Sequence, residues 1–162
     1  MVTVREAREA DAEAILDLHI ASIRAFGPET YDDEQVEAWA YKEGGPSYPI
    51  GHPEHVVLVA ERAGEIAGFG DIAPPECELY AVYVHPEHAG EGVGTAILDL
   101  LERTASDHGC DRLELTASKN AVGFYAQAGY ERIEAVDHEP SGPHDVTLKC
   151  VRMRKSPTHG SE

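Results

Sequence analysis

The apolar positions change period several times along the chain, and each change marks an element. Val2 to Arg5 reads as a short first strand. Helical spacing holds from about Ala12 to Phe26, with Asp11 placed as an N-cap and Gly27-Pro28 as the stop. Asp32 and Gln35 have capping-box spacing, and the helix after them carries Val36, Trp39 and Ala40 on one side. Residues 43–55 hold three glycines, three prolines and two histidines and predict a loop. Val56–Glu61 and Glu65–Ile72 form a hairpin pattern around a turn at Arg62–Gly64. Pro74-Pro75 breaks the chain before another strand pattern, Glu78–Val84. The clearest helix follows: Val93, Ala96, Ile97, Leu100, Leu101 and Ala105 share one face, and Gly109 ends it. Leu113–Ala117 predicts a strand, Asn120–Ala128 a short helix closed by Gly129, and Tyr130–Ala135 with Val146–Met153 a last antiparallel pair. Residues 155–162 read as a frayed tail after a single domain spanning residues 1–154. This order predicts an α/β (α+β) fold: one mixed, mostly antiparallel twisted sheet of about seven strands with about four helices.

Composition narrows the class. Apolar residues make up 42% of the 162, enough for a core that buries roughly two-thirds of the unfolded surface. No apolar stretch approaches the ~20 residues of a membrane span. The charged start, Met-Val-Thr-Val-Arg-Glu, has no apolar signal core, which predicts a cytoplasmic protein. Cys77, Cys110 and Cys150, odd in number and irregular in spacing, read as reduced structural thiols. Thirty acids face thirteen bases, four of them lysines, for a net charge of −17. That balance argues against nucleic acid or an anionic membrane as partner. The acids are spread along the whole chain, so they describe a solvated surface, and it resembles that of halophile proteins working in molar salt.

The candidate chemistry lies between the fourth strand and the clear helix, at Gly90-Glu91-Gly92-Val93-Gly94-Thr95. A helix N-terminus offers unpaired N–H groups and a positive dipole end, and glycines let backbone approach a diphosphate closely. No P-loop string is present. A dinucleotide fingerprint would need glycine where Thr95 stands, although Glu114 lies at the distance of a ribose-binding acid. The quartet His-Pro-Glu-His occurs twice, at residues 52–55 and 85–88. Proline inside each copy argues against a helical histidine pair, and no acid or cysteine cluster completes a metal set. The second copy reads as the turn from strand to glycine loop, the first as coincidence.

From Glu78 to Ile133 the chain resembles the GNAT superfamily of N-acetyltransferases. The family loop, Gln/Arg-x-x-Gly-x-Gly/Ala, reads here Ala89-Gly90-Glu91-Gly92-Val93-Gly94; "LYAVYVHPEH" is similar to its lead-in and "NAVGFYAQAGYERI" to its later block. The family's Gln or Arg is Ala89 here, which removes a side-chain contact near the diphosphate and leaves the backbone amides. The resemblance implies acetyl-CoA as co-substrate, its diphosphate on residues 89–95 and its pantetheine arm along Val82, Tyr83 and Val84, with Asn120 and Phe124 beside it. It implies Tyr125 as the acid that protonates the leaving thiolate and Glu78 as the general base, Tyr80 and His85 being weaker candidates. It further implies an acceptor site walled by the first two helices, where Tyr31, Asp32 and Trp39, with Tyr80, suit a cationic amine. The amine is that of a small molecule or peptide: an amino acid, a polyamine, an aminoglycoside-like compound or a protein. The family often forms a homodimer. No Ser-His-Asp or Cys-His pattern points to an acyl-enzyme, so direct transfer is expected. The alternative is a non-catalytic acyl-CoA-binding or sensor module on the same fold.

Overall fold

The computed structural model describes residues 1–40, 47–140 and 145–156. Its elements are β1 (Val2–Glu6), α1 (Ala12–Phe26), α2 (Asp33–Ala40), β2 (Val56–Arg62), β3 (Glu65–Ala73), β4 (Glu78–Val84), α3 (Val93–Asp107), β5 (Leu113–Ser118), α4 (Val122–Gln127), β6 (Glu131–His138) and β7 (Leu148–Lys155). The seven strands make one sheet in the order β1-β2-β3-β4-β5-β7-β6. Every neighbouring pair is antiparallel except β4–β5, which is parallel.

Strand alternation sorts the core onto two faces. In β2, Leu58 and Ala60 join the cluster under α3, with Ile97, Leu101, Ile72, Leu115 and Met153. Val57 and Val59 point the other way, to Ile15 and Leu18 of α1 and Phe69 of β3. A third cluster packs Ile23, Val36 and Ala40 of α1 and α2 on Leu148 and Cys150. The α3 helix approaches β3 closely at two glycines. A Cβ at Gly70 would sit 2.6 Å from Ile97 Cγ2, and one at Gly68 would sit 2.8 Å from Val93 Cγ1. Glycine is required there for close approach, and interiors this dense cannot absorb the extra atom.

Of two expected helix starts, one changes and one holds. Asp11 precedes α1, but its carboxylate does not cap the helix. It accepts from the Arg8 N–H (2.7 Å) and from both terminal nitrogens of Arg5 (2.9 and 3.1 Å). The cationic guanidinium outbids the helix amides because charge-assisted pairs are stronger. The capping box at α2 is realised in both directions: Gln35 N–H donates to Asp32 Oδ1 (2.8 Å) and Asp32 N–H to Gln35 Oε1 (3.0 Å).

The cysteines require a correction. Cys77 and Cys110 form a disulfide, and only Cys150 is a free, buried thiol. Thirty-three residues apart in sequence, the two meet because β4 and β5 begin side by side, with a Cα–Cα distance of 5.7 Å. Spacing alone could not reveal this, since the parallel pairing that joins them is a tertiary event. The last strand also extends further than its pattern indicates. Lys155 belongs to β7, and its ammonium bonds Glu102 (3.1 Å) and the Ala128 carbonyl (2.7 Å). Of the expected tail, residues 157–162 lie outside the described residues, as do residues 43–46 of the expected loop.

Two irregularities in β4 prepare the site. First, β4 and β5 pair only at Glu78↔Glu114 and Leu79↔Leu115. Beyond Leu79 the two strands separate, while β4 continues to pair with β3 as far as Val84. One backbone edge of β4 therefore faces the gap. Second, Asp71 opposes Ala81 but Ile72 opposes Leu79, so Tyr80 is an extra, bulged residue. Bulges re-aim side chains and commonly border active sites. Tyr80 is half exposed.

Candidate active site

A cavity of about 430 Å³ fills the gap between the separating strands. Its floor is β4 from Tyr80 to Val84, one wall is Thr116–Ser118 of β5 with Asn120, Phe124 and Tyr125, and one end is the loop at residues 88–95. The other wall comes from Ser22, Ile23, Phe26, Glu29 and Trp39. Helices from the two halves of the chain thus close over a strand edge.

The loop end is built for an anion. Gly90 and Gly92 have φ of 78° and 84°, the left-handed region where glycine carries no penalty. The first backbone hydrogen bond of α3 runs from Ala96 N–H to Gly92 O (3.0 Å), so the amides before Ala96 open the helix without intrahelical acceptors. Gly94 is small for another reason: a Cβ there would lie 3.2 Å from the Phe124 ring, which packs over the loop. Glu91 puts a negative charge in an anion loop. Arg62 compensates it with a 2.8 Å ion pair, and His88 lies 3.6 Å away.

The repeated quartet is a repeated turn. In the first copy Glu54 N–H donates to His52 Nδ1 (3.0 Å); in the second Glu87 N–H donates to His85 Nδ1 (3.1 Å). His55 N–H closes on His52 O (3.1 Å) and His88 N–H on His85 O (2.9 Å). Both copies therefore fold as the same local turn. His85 is spent on its turn and does not line the cavity.

Of the sequence-derived site residues, Tyr80, Val82, Tyr83, Val84, Ala89, Gly90, Gly92, Val93, Gly94, Thr95, Asn120, Phe124, Tyr125 and Trp39 line the cavity. Glu91 belongs to the loop but is held by Arg62. Three others are not brought there. Tyr31 is buried; its hydroxyl donates to Lys149 O (2.6 Å) and accepts from Lys119 N–H (3.0 Å), tying the helical layer to β7. Asp32 is occupied by its capping box. Glu78 lies beneath the point where β4 and β5 part, with both oxygens on Arg152 (2.6 and 2.5 Å). Arg152 also holds Glu114 (3.0 Å) and Thr116 Oγ1 (3.1 Å). The bidentate guanidinium fixes both oxygens of Glu78 at the fork of the sheet, outside the cavity lining.

Tyr125 is 5% exposed, and burial drives its phenol well above its ordinary range, so it stays protonated. Trp39 packs edge-on to Tyr31 (5.7 Å) and bonds the Tyr83 hydroxyl, whose pKa burial pushes to about 12. Asn120 Oδ1 is buried in the cavity wall without a hydrogen-bond partner among the described residues. A buried acceptor left this way costs about 1–3 kcal/mol unless a ligand satisfies it. Sequence reasoning missed Glu29, the one carboxylate in the cavity lining among the described residues, because a 3₁₀ turn after α1 carries it to the cavity rim and no periodic pattern marks that turn. It also missed Ser22, Ile23 and Phe26, which read simply as the buried face of α1.

A forked strand edge ending in a glycine-amide anion loop, walled by a buried phenol, defines an enzyme that holds an extended, diphosphate-bearing molecule and reacts its far end. The Acetyltransferase (GNAT) family matches residues 12–130, and the chain belongs to that family. A Rhodopseudomonas palustris protein described as a GCN5-related N-acetyltransferase and class-II aminotransferase is 29% identical, with 95% of this chain and 94% of that one covered and a TM-score of 0.81. The PaiA N-acetyltransferase of Thermoplasma acidophilum, in complex with coenzyme A, has a TM-score of 0.72 at 19% identity, covering 96% and 99%. The ribosomal-protein-alanine N-acetyltransferase of Brucella melitensis has a TM-score of 0.66 at 21% identity, covering 95% and 99%.

Proposed function

We propose that the protein transfers the acetyl group of acetyl-CoA directly to a primary amine of a small molecule or peptide. The observation that carries this reading is the fork: a β4 edge freed of β5, leading straight into amides that suit a diphosphate. The residues present fit the co-substrate. The amides of residues 90–95 would hold the diphosphate, and the edge of Val82–Val84 would pair with the pantetheine amides as an added strand. Asn120 Oδ1 would gain the donor it lacks. The missing family side chain at Ala89 leaves this amide cradle intact.

Transfer requires a neutral amine, an oriented carbonyl and a proton for the departing sulfur. Backbone N–H groups on the open edge of β4 would stabilise the oxyanion. Tyr125, protonated at rest, donates toward the developing thiolate and regains a proton from the nitrogen of the collapsing intermediate. The wall of Phe26, Trp39, Tyr80 and Glu29 is aromatic with one acid, which suits a cationic acceptor. The test is acetyl-CoA-dependent thiol release with a panel of primary amines. Tyr125→Phe is expected to lower kcat by about 10- to 100-fold with acetyl-CoA affinity within threefold. Unchanged turnover would remove Tyr125 from the mechanism. Binding of acetyl-CoA without transfer to any amine would favour a sensor module.

A further inference from the structure

Glu78 is committed to Arg152, so the base for this reaction lies elsewhere, if the proposed function holds. The first His-Pro-Glu-His turn supplies a group that fits. Its last residue, His55, has Nδ1 2.8 Å from Asp71 Oδ1. Both side chains are largely buried, with 20% and 13% exposure. Asp71 is the β3 residue directly opposite Ala81, which lines the cavity floor. The His55 ring lies against the Tyr80 ring, centroids 5.5 Å apart, and Tyr80 is the bulged residue at the cavity edge. The sheet bulge and the turn thus bring a histidine–carboxylate pair directly behind the cavity lining, beside Tyr80 and Ala81.

We propose that the His55–Asp71 pair is the general base that deprotonates the acceptor ammonium, working through water along the face of Tyr80. Asp71 accepts the Nδ1 proton, which fixes the tautomer and leaves the Nε2 lone pair available. No partner for Nε2 occurs among the described residues. The acceptor R–NH₃⁺ gives one proton to Nε2. The resulting amine attacks the thioester carbon, and a C–N bond forms as the carbonyl becomes an oxyanion. On collapse the C–S bond breaks, Tyr125 gives its proton to the sulfur, and the second nitrogen proton returns to the phenolate. Imidazolium releases the first proton to solvent, so the products are amide, free thiol and one proton.

Charged and aromatic groups enclose the pair from β3, from β4 and from its own loop. Asp71 faces His55 from β3, and Glu76, Glu78 and Tyr80 lie on the β4 side, with the Tyr80 hydroxyl bonded to Glu76. His52 and Glu54 share its loop, the His52 ring 5.4 Å away. No cation is among these neighbours in the described residues. Burial raises the Asp71 carboxyl and its bond to His55 opposes that rise, so the pair is interdependent. His88, the matching residue of the second turn, bonds Glu65 at the phosphate end (3.2 Å) and has no such access to the acceptor.

The test is the pH profile of kcat/KM with spermidine, alongside acetyl-CoA affinity by calorimetry. His55→Gln is expected to lose about 100-fold at neutral pH, to gain about tenfold per pH unit up to about pH 10, and to recover in part with added imidazole. Its acetyl-CoA affinity is expected to stay within threefold. Asp71→Asn is expected to lower kcat/KM about tenfold at neutral pH, because the imidazole loses the carboxylate that orients it. Glu78→Gln is expected to leave the acid limb in place. A His55→Gln enzyme with the wild-type profile and a rate within threefold overturns the base assignment, as does lost stability with no change of limb. Wild-type protein that transfers acetyl to neither spermidine, an aminoglycoside nor an alanine-terminated peptide overturns the functional reading itself.

Discussion

Asp11 shows how one side chain can be legible in its importance and misread in its role. Its position before α1 marks it, yet its partner is Arg5, which also reaches Glu61 on β2 (2.8 Å). The Arg5 guanidinium holds the Asp11 carboxyl below the usual carboxylate range. A depressed carboxyl contributes stability above its unfolded pKa and loses it as pH falls through the folded value. Asp11→Asn is therefore expected to cost about 1.5–3 kcal/mol near pH 7. Chemical denaturation is expected to show the difference shrinking toward pH 3. A penalty independent of pH would mean that packing, not charge, is what Asp11 supplies. Glu78 teaches the same lesson at the site. An acid at the start of β4 is visible in the sequence, but Arg152, which occupies it, is 74 residues away. Local spacing reports helices, caps and glycine loops well; it says nothing of which long-range partner a charge will find.

At the scale of elements, the glycine loop, α3 and the fourth strand were readable because their signals are local: positive-φ glycines, a helical apolar stripe, a β-rich run. The fork between β4 and β5 was not, because it depends on a bulge at Tyr80 and on pairing that stops after two residues. The Cys77–Cys110 disulfide clamps the sheet at that fork, where the parallel pairing is shortest. Closing a loop of 33 residues is worth roughly 3–4 kcal/mol in the chain-entropy view. The Cys77→Ser, Cys110→Ser double variant is expected to melt roughly 6–15 °C lower and to bind acetyl-CoA more weakly, since the strands would no longer be held at their meeting point. A double variant with unchanged melting and affinity would show that Arg152 and its two glutamates hold the fork without help. Arg62 makes a second element-level contribution. Arg62→Ala leaves Glu91 uncompensated in the anion loop, and acetyl-CoA affinity is expected to fall about threefold to tenfold, the more so at low salt. Unchanged affinity would place the Glu91 charge too far from the diphosphate to matter.

At the scale of the whole molecule, 30 acids against 13 bases set the solution behaviour. The ion pairs at Arg5, Arg62 and Arg152 occupy three of those bases at structural junctions. The remaining acids repel one another across a surface that few cations relieve. Screening shortens from about 10 Å at 0.1 M salt to about 3 Å at 1 M, so the melting temperature is expected to rise by several degrees between those concentrations. The same charge would repel a polyanionic co-substrate, so fixed amides at a helix start suit such a ligand better than this acidic surface does. Those amides, and the open strand edge that leads to them, make the central claim testable in one experiment. Calorimetric titration of acetyl-CoA into the protein in molar KCl, with NAD as control, is expected to give micromolar-range, one-to-one binding of acetyl-CoA alone. Folded protein that binds neither ligand, or binds both alike, would contradict the account.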